Sequence, residues 1–439
     1  MSKYVSLLFV LQLVLVSCGG SGGDTSNSVL PRVDVRDTGD LYPYREDSPY
    51  APVLKSCALA ETYESSCTLE TLPFIVQSTP VFDREDVMDR LLVSHDWMGE
   101  RFEALLADAP DSMIPLFGSV TGISIGSTIR PSYYWSLNGA IRLDPAGMWL
   151  SIAEKSNVST ERDFRSGFGA ELQYWGVGSY RRGDNAAYDF FSLTDESERT
   201  LEDIKLPNYA LLYHELGHAV DYLPRESVPT LVSSMKTADA LFENEHHFLS
   251  PGLSSVYPLN SDVLWSLGEV NFQGVLASND QKTFTPAYVG SEMANDGAMQ
   301  YYSYNSTRED FATLFEKSMM KREFGVDYHI AFVQQPADPE RYLCSELTVG
   351  WGVKNRLADP WVLLRARYAV ESVYGVQPEF DLYLQDNLGQ QTSLQTGIGW
   401  CASLNGEPNS ATAIQARSNA VFDPAEFARL EAQLRIRRH

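Results

Sequence analysis

Positive charge is scarce in this chain of 439 residues: 34 Lys and Arg stand against 58 Asp and Glu, a net charge of −24. Binding to phosphates needs a basic footprint, so this balance excludes nucleic acid as a partner. It argues equally against a polybasic anchor on anionic lipid. Cysteine is limited to five residues, none in the C-x-x-C spacing of a zinc–thiolate cluster. The apolar run at residues 5–16 is too short to cross a bilayer, which takes about 20 residues. Self-similarity at solenoid periods is missing too. What is present is globular in character, with 44% hydrophobic and 12% aromatic residues. The length suits one large domain or two ordinary ones.

Lys3 followed by the apolar run reads as a signal peptide. The run ends in Leu15-Val16-Ser17-Cys18, and Gly19-Gly20-Ser21-Gly22-Gly23 follows. This ending resembles a bacterial lipoprotein lipobox, which implies a lipid-bearing Cys18 and membrane anchoring; an ordinary cleaved signal with an incidental cysteine is the alternative. Gly19 after the cysteine implies, by the same resemblance, the outer membrane, on its periplasmic or surface face. Residues 1–17 are then the signal peptide and 18–50 a flexible tether. Cys57, Cys67, Cys344 and Cys401 remain, an even count that suits two disulfides in an exported chain. Cys57–Cys67 and Cys344–Cys401 is the favoured pairing, because each closes within one region.

Chemistry concentrates at His214-Glu215-Leu216-Gly217-His218. Positions four apart on a helix lie on one face, so both imidazoles can address one metal ion. Glu215, about 100° round the helix, reaches a water on that ion without binding it. This is the H-E-x-x-H pattern of a zinc peptidase, with the Glu as general base. A core helix that happens to carry two histidines is the bland alternative. Apolar residues around the motif, Pro207 in a tolerated first turn and Pro224 as a stop favour the helix and the zinc.

A catalytic zinc needs a third protein ligand. The H-x-x-G-x-x-H continuation is excluded, since Asp221 and Pro224 stand at its glycine and last histidine. Residues 307–316 have helical spacing and offer Glu309, which also fits a capping box from Ser306. His246 and His247 are the rivals, His329 reads as a residue that supports a ligand or the oxyanion, and His95 reads as a surface or capping residue. Asp221, one turn beyond His218, is placed to accept its second N–H, or else is a helix-end surface acid.

His214-Glu215-Leu216-Gly217-His218-Ala219-Val220-Asp221 together with Glu309-Asp310-Phe311-Ala312-Thr313-Leu314-Phe315 resembles the gluzincin metallopeptidases, most closely the anthrax lethal factor group. The resemblance implies Glu309 as third ligand and Tyr302, seven residues earlier, as the group that polarises the scissile carbonyl or stabilises the oxyanion. Two departures stand out. Thr313 replaces the carboxylate usual one turn after the ligand Glu, and the stretch from His218 to Glu309 exceeds the usual spacing, implying an insertion at about 225–300.

The expected fold is α+β and zincin-like: a small mixed sheet, the two active-site helices and a helical C-terminal region. The catalytic domain spans 51–375 and an extension 376–439. A helix is expected at 84–106, strands at 123–132 and 141–149, and a loop-rich approach at 160–205. Residues 361–373 read as an amphipathic helix and 423–437 as a terminal one. Residues 123–132 are the candidate edge strand that would pair with an extended substrate. The expected function is a lipid-anchored zinc metallopeptidase acting on peptide or protein substrates, with one Zn²⁺ per chain. A non-catalytic lipoprotein with a structural zinc or a peptide-binding cleft is the alternative.

Overall fold

The computed structural model describes residues 41–79, 81–189, 193, 196–242, 245–339 and 342–405. Cys18 and the helix expected at 423–437 lie outside the described residues. Five short strands build a first sheet: β1 (Tyr42–Pro43), β2 (Leu91–Val93), β3 (Gly122–Ile125), β4 (Tyr133–Trp135) and β5 (Ala140–Leu143). Their order is β1-β2-β3-β5-β4. β2, β3 and β5 run parallel, with β1 and β4 antiparallel at the two edges. Ile123 and Ile125 pair with Ile141 and Leu143, and strand alternation aims all four at one face. That face joins the main core, where the helix Leu201–Tyr222 also packs. Leu54 and Ala58 of the helix Ala51–Ala58 cover the other face.

Three expectations are corrected here. The helix expected at 84–106 is two helices, Arg84–Met88 and Asp96–Ala107, with β2 between them. Asp83 caps the first and His95 holds the extended N-cap position of the second, so the apolar Leu91-Leu92-Val93 is drawn into the sheet. The strand expected at 123–132 ends at Ile125 and is central; β1 and β4 are the edges. Alternation reveals a strand with a buried face, but not whether both its neighbours are taken. The chain also enters the fold before residue 50, because β1 pairs with β2 and Leu41 is buried.

A second sheet was not foreseen. It is antiparallel throughout, in the order β10-β9-β8-β6-β7. Its strands are β6 (Tyr174–Arg182), β7 (Asn185–Ala186), β8 (Asp327–Gln334), β9 (Val349–Lys354) and β10 (Thr392–Ser393). β6 falls in the stretch expected to be loop, because Gly176 and Gly178 dilute its strand pattern. Both glycines make room for aromatic rings: a Cβ on Gly178 would lie 2.2 Å from the Tyr328 hydroxyl, and one on Gly176 3.0 Å from the Tyr301 ring.

Between the two long helices of the site, the stretch expected as an insertion folds as short helices, Thr237–Phe242, Leu249–Val256, Asp262–Gln273 and Pro286–Ala294. The helix Pro360–Tyr374 forms where expected, capped by Asp359. Helix Pro378–Asn387 sends Phe380 and Leu384 into the main core. Cys57–Cys67 and Cys344–Cys401 are both disulfide-bonded. No helix among the described residues is long and apolar enough to cross a membrane.

His329 lies on β8, where its Nδ1 accepts the Asn355 backbone N–H at 3.1 Å. Burial, and then the charges of Arg181 and Lys354, push its pKa down from 6.5 to about 4. On acidification the unfolded chain therefore takes this proton first, and stability falls as pH drops from 6.5 to about 4. His329→Gln is expected to flatten that fall, read from urea unfolding at several pH values; equal slopes in parent and variant would contradict it.

Candidate metal centre

Thr200 starts the 22-residue motif helix Leu201–Tyr222: its hydroxyl accepts the Asp203 N–H while the Asp203 carboxylate accepts the Thr200 N–H at 2.7 Å. The start is thus earlier than Pro207 suggested, and Pro207 sits inside the helix. Every residue from Asn208 to Tyr222 is buried. A helix so enclosed cannot leave its histidines to water, and His214 and His218 lie with ring centroids 4.9 Å apart.

The second helix, Thr307–Phe324, crosses it at Gly217. A Cβ at that glycine would stand 3.2 Å from the Ala312 Cα, so the missing side chain lets the two backbones approach. Ser306 caps this helix by accepting the Glu309 N–H at 3.2 Å. The Glu309 carboxylate does not return to the cap, so only half of a capping box forms. Asp310 is spent on a buried pairing with Arg365, which ties this helix to Pro360–Tyr374. Glu309 is free for the histidines.

Its Oε2 lies 3.1 Å from His214 Nε2 and 3.2 Å from His218 Nε2. The other oxygen accepts from the Tyr302 hydroxyl at 3.1 Å, and Asn305 Nδ2 stands 3.3 Å from that hydroxyl. One donor atom from each of His214, His218 and Glu309 falls within 4.8 Å of the others, a buried group able to hold a metal ion. Two imidazole nitrogens and a carboxylate oxygen are the donor set of many zinc sites.

The charges fit such a site. Burial alone raises the Glu309 pKa, but the positive field of His218 and hydrogen bonds from both rings outweigh it and hold the carboxyl ionised. His214 is pulled the other way by burial, yet Glu309 and Glu316 raise it overall. Glu215 is fully buried, and neither of its oxygens has a hydrogen-bond partner among the described residues. Burial and then the Glu309 charge push its pKa well up; the Tyr134 backbone N–H, outside hydrogen-bonding geometry, offsets only part of this. Leaving a buried carboxylate unpartnered is costly, so this orphaned acid marks a place where water or substrate belongs.

The other histidines among the described residues lie elsewhere. His95 bonds Ser94 and Ser127, and His246 and His247 form a turn at Glu245–His247. Asp221 is engaged away from the ring it was expected to orient: its Oδ1 accepts the Ser250 N–H at 2.7 Å, and its Oδ2 faces Arg308 at 3.7 Å. The residue that sequence reasoning missed is Glu316, whose Oε2 stands 3.2 Å from His214 Nδ1. Its signal was its place seven residues after Glu309, two turns on along the same face.

Valine at Gly217 would wedge the helices apart, at a cost of roughly 1–3 kcal/mol by overpacking. Gly217→Val is expected to lose metal uptake in equilibrium dialysis, with Gly217→Ala falling between it and the parent. Unchanged metal content in the valine variant would show that the close approach does not set the site.

No family model matches this chain, and neither a curated protein nor a solved structure does; the chemistry of the centre follows from its own residues.

Proposed function

We propose that this protein is a zinc-dependent metallopeptidase of the gluzincin type, with His214, His218 and Glu309 as ligands. One observation carries the reading: the acid of a distant helix meets both Nε2 atoms of an H-E-x-x-H pair, while the glutamate of that motif stays buried and unpartnered. The mixed first sheet, with antiparallel β4 at its edge and the motif helix beneath, supports a zincin-like fold. Three protein donors favour catalysis over a structural role, since structural zinc is closed by four.

A zinc ion held there supplies a Lewis acid that polarises a carbonyl and lets water ionise near neutral pH. Glu215 takes the proton of the attacking water and passes it to the departing amine; its raised proton affinity suits both duties. Tyr302, fixed between Glu309 and Asn305, turns its hydroxyl to the oxyanion as the tetrahedral centre forms. Among the described residues β4 has a sheet neighbour on one side only, β5, and we read its other side as the place where an extended peptide would pair. The substrate class is therefore peptide or protein.

Two disulfides support an exported protein, and a lipid on Cys18 would hold it to a bacterial membrane, in our reading the outer one. Glu215→Gln is expected to keep one zinc per chain while hydrolysis of a mixed fluorogenic peptide library falls by about 10²–10⁴-fold. If parent and variant cleave at equal rates, Glu215 is not the base. If the zinc-loaded parent cleaves nothing, the peptidase reading falls.

A further inference from the structure

Glu316 is buried, charged and outside the ligand set, yet it touches a ligand. We propose that Glu316 is the positioning residue of His214, and that Tyr180 and Lys317 hold it to that task, which makes the second sheet part of the metal centre. The proposal rests on reading His214, His218 and Glu309 as metal ligands.

A neutral imidazole binds metal through one nitrogen and must place the N–H of the other on an acceptor. His214 is fully buried, so bulk water does not supply that acceptor. Glu316 Oε2 does, at 3.2 Å from Nδ1, and the ring then presents the Nε2 lone pair to the side where Glu309 stands at 3.1 Å. Thr313, one turn after Glu309, meets Gln300 instead and brings no carboxylate.

Glu316 is itself pinned. Its other oxygen accepts from the Tyr180 hydroxyl at 2.8 Å and from the Lys317 ammonium. That ammonium lies over the rings of Tyr180 and Tyr328, at 4.9 and 4.3 Å from their centroids. The two tyrosines are cross-strand partners on β6 and β8, with ring centroids 4.9 Å apart. A buried Glu–Lys pair serving only the core would account for the Lys317 contact. It would not account for the second oxygen turned toward a metal-ligating ring.

The test measures the zinc dissociation constant of the full chain by chelator competition, and the His214 ring nitrogens by ¹⁵N NMR with and without zinc. Glu316→Leu is expected to weaken zinc binding about 10–100-fold and to erase the Nδ1-bound proton signal. Glu316→Gln keeps an acceptor and should recover much of both, and Tyr180→Phe should weaken zinc by a smaller factor. Should Glu316→Leu fail to fold, Tyr180→Phe carries the test: parent-like zinc affinity and His214 ring signals in that variant overturn the proposal. Parent-like zinc affinity with an unchanged Nδ1 signal in a folded Glu316→Leu overturns it too, leaving the ligand reading intact. A parent that binds no zinc removes the ligand reading first, and the proposal with it.

Discussion

The whole arrangement depends on one close contact between helices. Gly217, between the two histidines of the motif, lets the helix Leu201–Tyr222 meet Thr307–Phe324 almost backbone to backbone at Ala312. Only at that separation does a carboxylate at the start of one helix reach imidazoles on the other. Phe311, Leu314 and Phe315 flank the contact and enter the main core, so apolar packing holds the helices while polar side chains meet between them.

The second helix is unusual in what it buries. From Glu309 to Lys321 every residue is enclosed, including Glu309, Asp310, Glu316, Lys317 and Lys321. Burying ionised groups costs several kcal/mol each unless they are paired. Each of these has a named partner: the two imidazoles, Arg365, the Glu316–Lys317 pair itself, and Asp327. A core made for stability alone does as well with apolar residues of like volume. Retaining so many charges is reasonable where a site needs an ionised ligand, a fixed imidazole and a proton acceptor within one helix crossing.

Glu215 shows the same economy from the opposite side. Both of its oxygens are buried without a hydrogen-bond partner among the described residues. Acids left this way are destabilising in the resting protein, and folds tolerate them where a reacting molecule completes the hydrogen bonding. The Tyr134 amide of β4, at one edge of the first sheet, offsets part of the rise in that acid's pKa.

Read alone, the chain disclosed the elements whose signals are local. The i, i+4 histidines, the cap at Ser306, the helix at 361–373 and the four cysteines that follow Cys18 all act within a few turns or through simple pairing. Glu309 was legible as a candidate because it opens a helix, but only the folded structure shows its carboxylate against both histidines, with Ser306 taking its N–H and Asp310 turned to Arg365. Tertiary structure alone decided the rest: which strand is the edge, that Gly176 and Gly178 belong to a strand, that Asp221 serves Ser250 and Arg308, and that Glu316 stands behind His214. The physical reason is common to all four. Each depends on what lies across a packed interface, and residues far apart in sequence reveal their partners only once backbone approach and burial have fixed which polar groups must satisfy one another.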